Sequence, residues 1–441
     1  MASDSLEPHV LVRLLRRPAG AFTAGDLERA VDELGLRQVN LRYVGSDGRL
    51  KTVAFPINSR AHLREPLPHA REQIVRRAAE VLHAETGLAM EAFGEVEYYL
   101  AQDLDDRFPV EEERGYQESA PFSKGQRLRE EVLGHLAAMG IATKYAHGEV
   151  GNVREDDRQL VQHEIELSPV PLDRAADALV LTKWVVREVA DRHGVEVTFA
   201  PTVSTGGAGN GLHVHTRLVR DGANALVDDD GALTDTARRL IAGLLAASPA
   251  LTAFGNTVPT SYLRFAEGSE SPEAICWAET DRTGLVRVPL AWGGGVLPRM
   301  VAHANPDRAE PVPAPDIAPQ TVELRLADGS ADVHLLLAGM AVAARHGLRD
   351  PGSLERAERW NADGRDDDAG DFERLPSSSA ESADALEEAR GMFEADGVFP
   401  SALIDAVLAD LRDNADGALT KKAAKSDSAR AELIAKYWHV G

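Results

Sequence analysis

The chain has 441 residues, of which 44% are hydrophobic and 27% are charged. At about 100 to 200 residues per domain, this length predicts two or three structural units with a large core. The composition is that of a globular protein and excludes wholesale disorder. The 48 basic and 71 acidic side chains give a net charge of −23, which excludes a nucleic-acid partner because such proteins need a basic face.

The cysteine content and the first residues predict a cytoplasmic protein. Cys276 is the one cysteine, so it forms no intramolecular disulfide and cannot alone build a zinc or iron–sulfur site. The apolar residues near the N-terminus are too few and too interrupted by charge for a signal peptide. No stretch reaches the roughly 18 apolar residues of a membrane span, so we expect no membrane partner.

The N-terminal part predicts a small separate module. Alternating apolar residues on both sides of a Ser-Asp-Gly turn predict two strands within Gln38–Pro56. Two prolines then precede a helix predicted over Ala70–Thr86, which Gly87 ends. We therefore expect one module over residues 1–65 and a large domain over residues 66–441.

Within the large domain, predicted helices and strands alternate irregularly. Helices are predicted over Lys124–Met139, Ala175–His193 and Asp235–Ala247. Strands are predicted over Phe93–Leu100, Leu160–Leu167, Val195–Phe199, Gly211–Leu218, Ala274–Trp277, Val286–Val288 and Thr321–Leu326. Because several strands follow one another without a helical crossover, we expect an α+β fold with a mainly antiparallel sheet backed by helices. Asn361–Ser382, rich in Asp, Gly and Ser, predicts a solvated loop.

The first chemical signal is a pair of glutamates on a predicted strand. Glu95 and Glu97 are two residues apart, so their carboxylates project from the same face. Like charges that lie so close repel each other unless cations lie between them. An isolated pair of this kind is most often a solvent-facing strand edge, so it needs support from elsewhere in the chain.

Further candidate ligands lie on other predicted strands, at Glu149, Glu164, Glu323, His213 and His215. Each alone is an ordinary structural or surface residue. Taken with the first pair, five carboxylates and a histidine could hold two divalent cations. Hard oxygen ligands, little nitrogen and no sulfur favour Mg²⁺ or Mn²⁺ over Zn²⁺.

Arginines near these acids suggest phosphate chemistry. Arg264, Arg282, Arg287 and Arg325 follow in the sequence. A guanidinium group binds carboxylate or phosphate through two parallel hydrogen bonds, and divalent ions neutralise charge during phosphoryl transfer. Surface salt bridging is the alternative reading for any one of these arginines.

The ordered motifs make the chain resemble the glutamine synthetase family. Gly94–Tyr99 is similar to the GxExE strand of that family, and Thr198–His215 resembles its TFMPKP…NGSGMHxH signature. Asn256–Arg264, Glu270–Pro272, Asp281–Arg287 and Glu323–Arg325 resemble its NPxxNSYKR, EAP, NRSASIR and ExR segments. The likeness extends over roughly Phe93–Arg345, with a weaker echo in the N-terminal hairpin.

The resemblance implies an architecture, a reaction and an assembly. It implies a small N-terminal β-grasp-like module, shortened here, and a large catalytic domain with a curved sheet. It also implies an ATP-dependent ligase that joins ammonia or another amine to the γ-carboxylate of L-glutamate through γ-glutamyl phosphate. Two or more Mg²⁺ or Mn²⁺ ions per site, and a ring-like homo-oligomer, are expected with it.

The resemblance also implies a role for individual residues. One metal would be held by Glu97, Glu149 and Glu164, and the other by Glu95, His213 and Glu323. Substrate binding would involve Gly209, Arg264, Glu270 and Arg325. ATP would be seated by His215, Arg282 and Arg287. The catalytic residues would be Arg282 at the transferred phosphoryl group and Glu270, which would close the site and take a proton from the amine.

Three departures from the family pattern leave alternatives open. Ala208 replaces an Asn that helps to hold the glutamate amino group, and Gly45 stands near the position of an Asp expected to assist ammonium binding. About seven extra residues, including Arg154–Arg158, separate the second and third glutamates of one metal site. The acceptor could therefore be ammonia or a larger amine. The alternative to an enzyme is a non-catalytic homologue that serves as an oligomeric scaffold or regulator.

Overall fold

A computed structural model describes most of the chain. The described residues are 7–45, 49–57, 70–155, 157–204, 206–266, 271–272, 274–279, 284–290, 303, 319–364, 372–414, 422–423 and 425–441.

The N-terminal residues form two helices and a hairpin. The helices are α1 (Val10–Leu15) and α2 (Ala24–Leu34), and Thr23 caps α2 by accepting a hydrogen bond from the Asp26 backbone N–H. Strands β1 (Gln38–Val44) and β2 (Leu50–Pro56) pair antiparallel, which confirms the predicted hairpin. The boundary predicted near residue 65 lies outside the described residues.

The large sheet comprises ten strands within the described part of the chain. They are β3 (Ala89–Asp103), β4 (Thr143–Arg154), β5 (Arg158–Leu167), β6 (Val170–Pro171), β7 (Glu196–Thr198), β8 (Leu212–Arg220), β9 (Ala223–Asn224), β10 (Trp277–Glu279), β11 (Val286–Val288) and β12 (Val322–Leu324). The main order is β10-β11-β12-β8-β3-β5-β4, and β6, β7 and β9 pair at its flanks. The β10–β11 pair is parallel and the other pairs are antiparallel, which confirms the expected α+β class.

Helices cover the sheet and extend to the C-terminus. They are α3 (Ala70–Thr86), α4 (Gln126–Ala138), α5 (Leu172–Arg192), α6 (Asp235–Gly255), α7 (Pro259–Ala266), α8 (Val333–Arg349), α9 (Ser353–Arg359), α10 (Ser379–Glu388), α11 (Arg390–Glu394), α12 (Ser401–Asp413) and α13 (Asp427–Tyr437). Helix α5 packs against β3, and α6 packs along α8. No helix in these stretches is both long enough and apolar enough to cross a bilayer.

The structure corrects three sequence predictions. Helix α6 continues past the predicted end at Ala247 and includes Pro249, because tertiary burial of almost its whole last turn outweighs the missing backbone donor. The strand predicted at Ala274–Trp277 is displaced to β10, and Ala274 makes only an isolated bridge. The predicted loop ends early, since Ser378 caps α10 and Ser379–Ser382 are helical.

Candidate metal and phosphate site

Strand β3 separates an apolar face from a polar one. A Cβ atom at Gly94 would lie 2.7 Å from Leu179 of α5, so even-numbered residues here face the helices. Val96 and Tyr98 on that face belong to the main hydrophobic core. Odd-numbered residues therefore point to the opposite face, which directs Glu95 and Glu97 together into the candidate site.

The strand register gathers further polar side chains on the same face. Glu95 lies opposite both His213 and Glu166, Glu97 opposite Glu164, Glu164 opposite His147, and Glu323 opposite His215. Residues directly opposite each other have Cβ atoms about 4.5–5.5 Å apart. Residues that are 228 positions apart in the chain, from 95 to 323, thus meet through strand pairing.

One group of donors lies where β3, β8 and β12 meet, at Glu95, His213 and Glu323, and their ligand atoms lie within 4.8 Å of one another. His213 Nδ1 is 2.8 Å from Glu95 Oε2 and 3.5 Å from Glu323 Oε1. A hydrogen bond from Nδ1 leaves the Nε2 lone pair available to a metal. The structure therefore brings together the three residues that the resemblance assigned to one ion.

His215 completes the ionic contacts of this group. Its Nε2 is 2.9 Å from Glu95 Oε1, and its ring stacks on Phe93 with the centroids 4.6 Å apart. Burial disfavours charge on His215, but the Glu95 carboxylate outweighs this and raises the histidine pKa. Burial also acts to raise the Glu95 pKa, yet the charges and hydrogen bonds of His215 and His213 hold it well below its usual range.

A second group lies on β4 and β5 and consists of His147, Glu149 and Glu164. His147 Nδ1 is 3.6 Å from Glu149 Oε2, and its Nε2 is 3.4 Å from Glu164 Oε1. Burial, followed by the charges of Glu95, Glu97 and Glu149, raises the Glu164 pKa well above its usual value. The carboxylates around this group therefore repel the charge on Glu164.

Glu97 lies between the two groups. Its Oε2 accepts hydrogen bonds from the Gly211 backbone N–H at 2.8 Å and from Gln162 Nε2 at 3.1 Å. Its Oε1 is 4.0 Å from His213 Nε2. Glu97 lies opposite Glu164 in the strand register, but among the described residues the β4–β5 group whose ligand atoms all lie within 4.8 Å of one another has His147 in place of Glu97.

Arginines lie around β11 and β12, toward the end of the sheet opposite to β4. Arg287 Nε donates to Glu323 Oε2 at 2.6 Å, and Arg325 Nε is 3.2 Å from Glu323 Oε1. Arg325 is 3% exposed, and this burial lowers its pKa despite the nearby Glu323 charge. These two guanidinium groups border the first donor group, where they can bind an anion beside it.

Arg264, on α7, approaches a glycine-rich backbone. A Cβ at Gly209 would lie 3.2 Å from the Arg264 side chain, and one at Gly211 would lie 2.9 Å from its Nη2. Any larger residue at Gly209 would also approach the Pro201 carbonyl to 2.3 Å. Glycine is therefore required by close packing at both positions, and the backbone here holds Arg264 beside Glu97.

Gln162 connects three parts of the site. Its Nε2 donates to Glu97 and, at 3.0 Å, to the Gly209 carbonyl, while its Oε1 accepts from the Gly151 N–H at 3.0 Å. Gly151 lies two residues after Glu149, in an irregular stretch of β4. This buried amide links the positions of carboxylates on two different strands.

Buried atoms without hydrogen bonds test whether the donor set fits a metal. Among the described residues, His213 Nε2 and Glu323 Oε1 are inaccessible to solvent and make no hydrogen bond of acceptable geometry. Such atoms are costly unless a cation or water binds them. Together with the crowded carboxylates, they fit oxygen-preferring divalent ions.

The departures from the family pattern have local explanations. Ala208 is fixed through its backbone, since its N–H donates to Glu113 and its carbonyl accepts from Tyr99 Oη at 2.8 Å. The extra residues lengthen the β4–β5 hairpin, which turns between Glu155 and Arg158. Two predicted catalytic residues, Glu270 and Arg282, lie outside the described residues.

Sequence reasoning missed two polar residues of the site, His147 and Glu166. Glu166 is 1% exposed, and Lys144 Nζ donates to its Oε1 at 2.7 Å. Both residues stand two positions from a glutamate that was singled out, so the period-two rule applied to Glu95 could have found them.

Comparisons with known proteins identify the chain. The protein family described as "Glutamine synthetase, catalytic domain" matches residues 69–414 of this chain. The chain belongs to the glutamine synthetase family. The resemblance inferred from its motifs is thereby confirmed, as is the assignment to a family of ATP-dependent carbon–nitrogen ligases.

Relatives named glutamine synthetase occur in distant organisms. The chain is 29% identical over 337 residues to one from Thermococcus kodakarensis, covering 76% of this chain and 68% of that protein. It is 32% identical over 259 residues to one from Thermus thermophilus, covering 58% of this chain and 51% of that protein. The match thus spans about half to two thirds of these relatives' lengths.

A solved structure supports the same fold. A Plasmodium falciparum glutamine synthetase determined by cryoEM aligns with a TM-score of 0.62 at 18% identity. The alignment covers 86% of this chain and 82% of the other. At this identity, the likeness bears on the fold alone.

Proposed function

We propose that the protein is an ATP-dependent ligase that joins an amine to the γ-carboxylate of L-glutamate. ATP would phosphorylate that carboxylate, and the amine would displace phosphate from the resulting γ-glutamyl phosphate. The observation that carries the proposal is the convergence of Glu95, His213 and Glu323 beside Arg287 and Arg325. Such an arrangement serves phosphoryl transfer, in which positioning and charge stabilisation supply most of the catalysis.

Divalent ions, Mg²⁺ or Mn²⁺, would neutralise charge on the transferred phosphoryl group. The residues that would hold them are the two donor groups together with Glu97, whose hydrogen bonds from Gly211 and Gln162 fix its carboxylate. Fixed carboxylates need no reorganisation when the charges change during reaction.

The arginines would orient the anionic substrates. Arg264 and Arg325 are buried next to the carboxylates, so they would hold glutamate with little competition from water. Arg287 and His215 would contact ATP, and Arg282 would contact the transferred phosphoryl group. Gly209 contributes its backbone, because a side chain there would collide with Arg264.

Shielding the acyl phosphate from water would be the task of the segment around Glu270. A closing segment of this kind excludes hydrolysis and allows one carboxylate to accept the proton of the amine. We also propose that the protein forms a ring-like homo-oligomer, as the family resemblance implies. The chain would divide into two domains near residue 65.

Purified protein with Mg²⁺, ATP and glutamate tests the proposal. We expect phosphate release that depends on an added amine and that the Glu323→Ala variant abolishes. Absence of amine-dependent phosphate release across a panel of amines would contradict it and would favour the scaffold alternative. The retained set of buried donors argues against that alternative, because an unused site has no physical reason to keep like charges buried together.

A further inference from the structure

A short glycine-rich segment, residues 206–211, leads into β8 and contains Ala208. We call this segment the glycine loop. Its backbone is hydrogen-bonded to groups on β3, on β5 and on the connection that follows β7, at Gly209, Asn210 and Gly211. Because three successive residues are held in this way, the loop has a fixed course beside the candidate site.

The backbone is also held on both sides of Ala208. The Ala208 N–H donates to Glu113 Oε2 at 3.1 Å, and the Ala208 carbonyl accepts from Tyr99 Oη at 2.8 Å. That carbonyl belongs to the peptide group that joins Ala208 to Gly209. The hydroxyl of Tyr99 therefore sets the orientation of the Gly209 backbone.

Tyr99 itself has little freedom to move. It is fully buried, and its ring packs in a small hydrophobic cluster that also contains Ala101, Leu160, Ala200, Val203, Ile434 and Trp438. A Cβ atom at Gly151 would lie 1.8 Å from Tyr99 Oη, so a glycine is needed there to leave room for the hydroxyl. The ring and the hydroxyl are thus held independently of each other.

The glycine loop borders a proposed substrate residue, Arg264. A Cβ at Gly209 would lie 3.2 Å from the Arg264 side chain. The α-carboxylate and the α-ammonium group of glutamate are attached to the same carbon, so a carboxylate held by Arg264 would place the ammonium group beside the loop. Peptide carbonyl oxygens are suitable acceptors for it, because each has a second lone pair when one hydrogen bond is already made.

From this arrangement we infer that Tyr99 is a positioning residue for the site of the glutamate α-ammonium group. Its hydroxyl fixes the peptide group between Ala208 and Gly209, and this fixed backbone replaces the side chain that an Asn would supply at position 208. A binding group that is already held in place loses little conformational freedom when the substrate binds. The inference rests on the proposed function, since it concerns the amino-acid substrate of that reaction.

Tyr99→Phe in the full-length protein tests the inference, because it removes the hydroxyl and keeps the packed ring. Amine-dependent phosphate release would be measured with Mg²⁺ at varied L-glutamate and at varied ATP. We expect KM of glutamate to rise about three- to tenfold, the range for the loss of one hydrogen bond, with kcat and KM of ATP unchanged.

Tyr98→Phe is the matched control. Tyr98 is as fully buried as its neighbour but faces the helices, and its hydroxyl makes no hydrogen bond within the described part of the chain. Its removal should leave KM of glutamate unchanged.

Glutarate separates a local role of the hydroxyl from a structural one. This compound has both carboxylates of glutamate and no α-ammonium group. Its Ki as a competitor of glutamate should be the same in Tyr99→Phe and in the wild type, because it has no group for the fixed peptide to bind. A hydroxyl that merely supports the fold would change the glutarate Ki and KM of glutamate alike.

Three outcomes would overturn the inference and leave the ligase reaction intact. They are an unchanged KM of glutamate in Tyr99→Phe, an equal rise of the glutarate Ki, and equal effects of the two Phe substitutions. Absence of amine-dependent phosphate release from the wild type would overturn the proposed function, and this inference with it.

Discussion

The two donor groups of the site differ in how their charge is balanced. Around Glu95 and Glu323, basic side chains are close: His213, His215 and Arg287 each have a nitrogen within 3 Å of a carboxylate oxygen of one or the other. Around Glu149 and Glu164, the ring nitrogens of His147 lie farther away, at 3.6 Å from Glu149 Oε2 and 3.4 Å from Glu164 Oε1.

This difference shows in the ionisation of the two groups. The Glu95 pKa is held low although the residue is buried, whereas burial and neighbouring carboxylates raise the Glu164 pKa. The first group is therefore pre-assembled by the protein, and the second depends more on an added cation. Removing one carboxylate should therefore lower the free energy of unfolding in the first group and raise it in the second.

The largest effect is expected for Glu323→Ala. The change leaves Arg287 and Arg325 without their buried partner, and breaking such a pair costs about 3 to 5 kcal/mol of unfolding free energy. Ligase activity should fall at least about a thousandfold, because a cation ligand is lost as well. Urea denaturation and amine-dependent phosphate release measure the two effects.

Glu91→Ala serves as a matched control on the same sheet. Glu91 pairs with Arg217 at 2.7 Å, away from the donor groups and with both side chains partly exposed. We expect a loss of at most about 1 kcal/mol and unchanged activity. Equal effects of the two substitutions would remove the distinction between a site carboxylate and a structural one.

The next effect concerns pH and His163, which lies behind Glu164. Arg129 Nη1 can only donate to His163 Nδ1, at 2.6 Å, and the other ring nitrogen contacts the Lys124 carbonyl at 2.8 Å. Burial, together with Arg129, lowers the His163 pKa to about 3. Since the unfolded chain takes up this proton near pH 6.5 and the folded chain does not, stability is full above pH 6.5 and declines as the pH falls toward 3.

Between pH 6.5 and 4.5, this histidine should reduce the free energy of unfolding by about 2 to 3 kcal/mol. His163→Asn should lack this component, so its denaturation midpoint should change less over the same interval in metal-free buffer. Parallel pH profiles of the two proteins would show that the histidine is not held neutral.

A smaller and opposite effect is expected for Glu164→Gln. In metal-free buffer at pH 8 the variant should be more stable than the wild type by about 1 to 2 kcal/mol, because a repelling charge is removed. A raised carboxyl pKa means that wild-type stability declines as the pH rises above about 4.5, and the variant should lose this slope. A less stable variant in the presence of a chelator would contradict the assigned charge imbalance.

The smallest effect is expected for Gln162→Leu. The substitution removes the hydrogen bonds to Glu97 and to the Gly209 carbonyl while keeping a similar volume. Mn²⁺ affinity should fall about tenfold, in the range found for groups that orient metal ligands. Gln159→Leu, a buried amide at the far end of the same strand, should leave that affinity unchanged.

The strands of the site were largely predictable from the sequence. Glu95, Glu97 and His213 follow the period-two rule, and their motifs identify the family. The pairing partners were not predictable, because register depends on contacts between segments that are distant in the chain. Thus Glu166 lies opposite Glu95 although 71 positions separate them.

Tertiary burial explains the other misses. Helix α6 continues through Pro249 because its surroundings are apolar on nearly every side, a property that local propensity does not report. His147 stands two positions before Glu149, so the period-two rule could have placed it on the same face. Its contacts, opposite Glu164 and beside Tyr145, depend on strand pairing, which the sequence does not report.

Titration of Mn²⁺ into the metal-free protein, followed by calorimetry, tests the central claim most directly. We predict at least two saturable Mn²⁺ ions per chain for the wild type, with one ion lost in Glu323→Gln and a different one weakened in Glu164→Gln. Absence of binding to the wild type, or a stoichiometry that neither substitution changes, would contradict the assignment of these residues to a divalent-cation site.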